Sequence, residues 1–123
     1  MSNITPTIIE KVQSNLDEAE QELETSSAYF KPKPGKAYMI KLDPQNDKIV
    51  PVETERFKDA QGKPIRRYEV KVTHVNNGKQ QLWDTSKTVC TQIIAELRKG
   101  FTVLKVIRTG ADRSTTYAIQ GVQ

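Results

Sequence analysis

The chain has 123 residues, a single cysteine and a net charge of +4. That length holds one domain with room for an appendage and closes a modest core without disulfides or metal. Lone Cys90 excludes an intramolecular disulfide framework and fits a reducing compartment. No apolar run is long enough for a membrane-spanning helix, and no basic segment followed by an apolar block marks a secretory signal. A soluble, cytoplasmic protein without membrane contact is expected.

Residues 1–27 carry six acids against one base, a net of −5, and the remainder carries 18 bases against nine acids, a net of +9. An acidic arm on a basic body implies a polyanionic partner for the body, or else a plain lysine-rich surface. In the arm, Ile8, Ile9, Val12, Leu16, Ala19 and Leu23 recur at spacings of three and four. This predicts an amphipathic helix over residues 7–24. Its stripe needs a surface to pack on: its own barrel, a partner chain or a second copy. The alternative is a frayed arm whose acids compete for the basic surface. Lys31-Pro32-Lys33-Pro34-Gly35 is extended linker or turn, which divides the chain into an arm, 1–30, and a body, 31–123.

In the body, Tyr38, Ile40 and Leu42 alternate with Ala37, Met39 and Lys41, the pattern of a half-buried strand. A turn at 43–47 follows, then extended structure over 49–57 with Val50 and Val52 inward. These two pieces are either halves of one bent strand or two strands of a hairpin. After a polar loop, 58–64, the segment 65–75 alternates again, with Tyr68, Val70 and Val72 on one face and Arg67, Glu69, Lys71 and Thr73 on the other. Asn77-Gly78 is a strong hairpin signal. In the returning strand, 79–83, Leu82 is the expected core residue, turning Trp83 outward or to the strand end.

Asp84-Thr85-Ser86 offers helix N-caps, with Thr88 able to assist. Val89, Cys90, Ile93, Ile94 and Leu97 form one helical face, and Arg98, Lys99 and Gly100 close the helix. Cys90 is expected as a small buried residue. Strands at 101–109 and 115–119 flank a basic loop, 110–114. With the first two pieces taken together the order is β-β-β-α-β-β, that of a mainly β, five-stranded OB-fold Greek-key barrel, here with an N-terminal amphipathic helix.

No catalytic constellation emerges. His74 is alone near a hairpin, and no Cys/His spacing suits a metal. The body carboxylates are scattered, which leaves a two-metal nuclease as a second, minor rival; neither an enzyme nor a cofactor is expected. Single strands are bound by cations on phosphates and rings on bases, and both interleave here. Arg56 and Phe57 precede the polar loop; Lys63, Arg66 and Arg67 follow it; Lys71 continues the strand; Trp83 lies on its partner; Arg108 and Arg113 flank Gly110. These nine residues are the candidate nucleic-acid-binding set, with Trp83 and Phe57 as stacking rings. Tyr38, Tyr68, Phe101 and Tyr117 fall to the core by phase.

The stretch Leu82-Trp83-Asp84-Thr85-Ser86, with Gln92-Ile93, Leu97, Gly100, Val106-Ile107-Arg108-Thr109-Gly110 and Thr116-Tyr117, resembles the C-terminal half of OB-fold single-stranded DNA-binding proteins of phage and archaeal type. The resemblance covers about half the chain. It implies single-stranded DNA binding, with RNA as the variant, in replication, recombination or repair. Many phage relatives carry zinc-ligand cysteines in the first half; this chain has none, so no zinc site is carried over. The rival expectation is a protein–protein assembly module working through the helix at residues 8–23.

Overall fold

The computed structural model describes residues 4–110 and 115–123, with backbone alone at 4–7 and 54–57. Helix α1 (Ile4–Thr25) is followed by strands β1 (Ala37–Lys41), β2 (Val50–Lys58), β3 (Pro64–His74) and β4 (Gln80–Thr85), helix α2 (Lys87–Arg98), and strands β5 (Val103–Thr109) and β6 (Thr116–Gly121). All six strands form one antiparallel sheet, ordered β2-β3-β1-β5-β6 with β4 on the other edge of β3. It curls into a half-barrel.

Register decides between the two readings of β1 and β2. Val50–Glu53 lie opposite residues 66–69 of β3, while Ile40 and Lys41 lie opposite His74 and Thr73. Both strands therefore run along the same edge of β3 and do not pair with each other. They are halves of one bent strand, broken by the loop at 42–49. The register also corrects the phase of β2. Directly opposed residues share a sheet face, and Val50 and Val52 oppose Glu69 and Arg67. Both valines therefore stand on the outer face, and Val50 is 48% exposed.

The β3–β4 turn is local chemistry. Gly78 adopts φ 72°, its N–H reaches the His74 carbonyl at 2.8 Å, and Asn77 Oδ1 accepts from Lys79 N at 3.0 Å. Helix α2 begins where Ser86 Oγ accepts from Val89 N at 3.2 Å. It ends at Gly100, φ 98°, whose N–H returns to the Leu97 carbonyl at 3.0 Å. Val89, Cys90 and Ile93 are buried against the sheet; Ile94, expected on that face, is exposed. Burial raises the Cys90 thiol above its ordinary value, partly offset by a hydrogen bond with Thr85.

The core joins Ile40, Leu42, Val70, Val72, Leu104 and Val106 of the sheet to Val89 and Ile93 of α2. Phe30 also belongs to it. It meets Tyr38, His74 and Trp83 edge-on, each at 5.2 Å between ring centroids. The chain just before Phe30 is pinned to β4: Leu82 N donates to the Ala28 carbonyl at 2.9 Å and Phe30 N to the Leu82 carbonyl at 2.8 Å. Residues 28–30 thus cover the outer edge of β4 in parallel.

This strap reverses the expected phase of β4. Gln81, Trp83 and Thr85 point inward and Leu82 outward. Gln81 is 3% exposed, and its amide lies 3.0 Å from the carbonyls of Glu24 and Ser27 and 3.1 Å from that of Tyr29. Its Oε1 faces His74 Nε2 at 2.8 Å. The strap's carbonyls need donors once they turn inward, so a polar residue takes a core position and the tryptophan follows two residues on.

The last turn of α1 is bonded to this assembly, and Asp17, Glu20 and Gln21 line a cleft against Lys36 and Met39. Thr25 and Ser26 hydroxyls donate to the carbonyls of Gln21 and Leu23, each at 2.8 Å, ending the helix without a glycine. Glu24 accepts from Lys36 at 2.8 Å, and Asn77 Nδ2 donates to Thr25 Oγ1 at 3.1 Å. Every residue from 8 to 20 is exposed, so the stripe does not pack on the body of its own chain. Among the described residues, no helix is long and apolar enough to cross a membrane.

Candidate nucleic-acid interface

No ladder joins β4 to β6 among the described residues. The half-barrel is open along this seam, and the seam holds a cleft of about 580 Å³. Arg67 of β3, Trp83 and Asp84 of β4, Gln92 of α2, Arg108 of β5 and Tyr117 of β6 line it. A second lobe of about 430 Å³ shares Arg67, Trp83, Asp84, Arg108 and Tyr117 and continues past Tyr29, Pro32 and Glu69. The two lobes form one groove crossing the seam beneath the strap. Their sizes fall in the range of roughly 300–1,000 Å³ typical of sites for small organic groups.

Each cation is held by a fixed frame. Arg67 Nε contacts Asp84 Oδ1 at 3.1 Å, and Nη2 donates to the Asp84 carbonyl at 3.2 Å. Arg108 Nη1 donates to the Pro32 carbonyl at 3.2 Å and Nη2 to Thr115 Oγ1 at 3.3 Å. Its Nε is buried with no hydrogen-bond partner among the described residues. A guanidinium is suited to an anionic oxygen. The register sets Glu69 directly opposite Asp84 on β3 and β4, a like-charged pair that Arg67 neutralises in part.

Two rings flank the arginines. Tyr117 is half-buried and meets Trp83 at 5.6 Å, edge to face. Tyr29 is 43% exposed, and its hydroxyl reaches Glu69 Oε2 at 3.4 Å. Trp83 is 2% exposed. The expectation of an outward Trp83 is therefore corrected: its ring forms the floor of the groove, and a base cannot stack on its face without displacing core neighbours.

Of the residues singled out in the sequence, Arg67, Trp83 and Arg108 come together here. Lys71 lies beside Asp47 at 3.6 Å, lining a different depression with Leu42 and Leu97. Arg66 is exposed and pairs with Glu53 at 3.1 Å, and Lys63 is exposed in the β2–β3 loop. None of these three lines the groove. The side chains of Arg56 and Phe57, and all of Arg113, lie outside the described residues. Sequence reasoning missed Tyr29, Asp84 and Thr115 and placed Tyr117 wholly in the core. The aromatic pair Tyr29-Phe30 ahead of the proline-rich linker was the available signal.

Among the described residues, no three His, Cys, Asp or Glu side chains converge as a metal site would require. Comparison with protein-family models, curated proteins and solved structures finds no match to this chain.

Proposed function

We propose that this protein binds single-stranded nucleic acid, without catalysis and with weak sequence preference, in the groove between β4 and β6. The observation that carries the proposal is the convergence of Arg67 and Arg108, from separate strands, with Tyr117 and Tyr29 across the open seam. Guanidinium groups neutralise phosphates while tyrosine rings accept bases, the pair of effects that single-strand binding needs. The wider body adds a net of +9 outside residues 1–27 to draw a polyanion in.

The same reading takes the half-barrel as an OB-fold, a five-stranded and partly open Greek-key barrel. With β1 and β2 counted as one bent strand, β3 and β4 become the second and third strands and the β5–β6 connection the last loop. OB-folds bind ligands across that strand pair and its neighbouring loops, and Arg67, Trp83 and Asp84 of the groove stand on that pair. On this reading the motifs at residues 82–117 favour DNA over RNA as the ligand, with replication, recombination or repair as its setting.

Titrating a labelled oligo-dT at two salt concentrations tests the proposal. Affinity should fall steeply with salt as counterions are released. Binding weaker than millimolar at low salt, or binding indifferent to salt, sinks it. An oligo-rU competitor in the same assay ranks RNA against DNA.

A further inference from the structure

The exposed stripe of α1 has a self-complementary layout. Ile9, Val12, Leu16, Ala19 and Leu23 follow spacings of 3, 4, 3 and 4, the a and d positions of a heptad seam. Ile9, Val12, Leu16 and Leu23 are 51–74% exposed. Leu23 is the most exposed, although its neighbours Glu24 and Thr25 are fastened to the body. The seam thus faces away from its own barrel even in the anchored turn.

We propose that α1 is a self-association helix whose occupant is a second copy of this chain, paired parallel and in register. In that arrangement all five seam layers are apolar on both sides. An antiparallel pairing that sets Ile9 against Ala19 instead leaves Leu23 facing Thr5. The charges fit the same partner. Glu10, Asp17 and Glu18 lie off the seam, where they stay solvated and are not placed to grip a basic helix. At the flanking positions, parallel pairing sets Ile8 against Gln13 and Asn15 against Glu20, with no like-charged contact. Glu22 is engaged with Lys79 of its own body at 3.6 Å. Between two and three heptads make a short seam, so the association is weak and depends on concentration.

Geometry gives the pairing a consequence, one that rests on the nucleic-acid reading above. Each helix is fixed to its body at its C-terminal turn, so parallel pairing gathers both bodies at one end. The two grooves are then tethered to each other, and on a strand long enough to reach both the second binding event becomes intramolecular.

Sedimentation of the full chain without nucleic acid tests the pairing separately from the groove. The mass should rise from monomer to a multiple between micromolar and millimolar concentration, and L16K should hold it at monomer. Under mild oxidation V12C, at a seam position, should form a covalent dimer, whereas S14C on the solvent face should not. A wild-type monomer at millimolar concentration, self-association unchanged in L16K, or equal crosslinking of V12C and S14C each overturns the proposal. If both this and the groove reading hold, an oligonucleotide long enough for two grooves should bind the wild type at least about tenfold tighter than L16K, and one filling a single groove equally.

Discussion

Trp83 of β4 and Tyr117 of β6 meet edge to face at 5.6 Å, bridging the two strands between which the sheet does not close. One ring is sealed in the core and the other half-exposed in the groove, so substitutions should separate their roles. Y117A should leave the fold intact and weaken oligonucleotide binding by roughly 1–3 kcal/mol, the worth of one stacked base. W83A should instead cost about 3–5 kcal/mol of stability, as loss of a buried large ring does. Denaturant unfolding and fluorescence anisotropy on both variants check this. Equal binding by Y117A and wild type would remove Tyr117 from the interface.

The arginines should show their work in the salt dependence. Each phosphate neutralised on a single strand contributes about 0.7 to the slope of log affinity against log salt. R67Q and R108Q should each flatten the slope by about that amount, while K71Q, whose side chain lies outside the groove, should change it little. An unchanged slope in both arginine variants would move the phosphate path elsewhere on the body.

Asp84 holds Arg67 at 3.1 Å and competes with any phosphate for it. Removing its charge should therefore tighten binding. The pair is partly exposed, so the gain is bounded by about 1 kcal/mol, or fivefold. D84N measured by anisotropy at low salt checks the sign. Weaker binding would mean that Asp84 positions Arg67 rather than restrains it.

What the sequence made legible was local. The Asn77-Gly78 turn, the Ser86 cap and the Gly100 stop depend on neighbours within five residues, and each is found where the residue pattern placed it. The facing of β4 depended on residues 28–30, some fifty positions away. A strap whose carbonyls required Gln81 inside inverted Leu82 and Trp83, and hydrophobicity alone could not announce that. Val50 and Val52 were misjudged for a similar reason: their facing follows from pairing with Glu69 and Arg67, which no local alternation reveals. The groove suffered most, because Tyr29, Arg67, Arg108 and Tyr117 converge only once the sheet has curled.

Gln81 ties the strap, α1 and His74 together. Q81L conserves bulk but leaves the Ser27 carbonyl and the His74 ring short of a partner, while the Tyr29 carbonyl keeps only the Ser27 hydroxyl at 2.9 Å. Each buried unsatisfied group costs about 1–3 kcal/mol, so the variant should be destabilised by at least about 2 kcal/mol. Amide exchange at residues 28–30 should accelerate, since Phe30 N loses its fixed partner when the strap lifts. An unchanged unfolding midpoint would show that water satisfies these groups equally well.

The anchor of α1 should respond to pH at both ends of the scale. Burial pushes the Glu24 carboxyl up, but the hydrogen bond and charge of Lys36, with help from Tyr38 and Lys33, outweigh it and leave the group below its ordinary value. A carboxyl lowered by folding contributes stability that is complete above its unfolded value and is lost as pH falls through the folded one. Lys36 is raised, chiefly by the hydrogen bond to Glu24, so its contribution is complete at neutral pH and is lost as pH rises through its folded value. The last turn of α1 should therefore loosen in acid, below the ordinary glutamate range, and again in strong base. Carboxyl NMR titration of Glu24, with amide exchange over residues 21–26, follows the acid limb. K36M should move the Glu24 titration upward and shift the loosening to higher pH. If Glu24 titrates alike in both proteins, the 2.8 Å contact does not persist in solution, and the anchor rests on the bonds of Asn77 to Thr25 and of Gln81 to the Glu24 carbonyl.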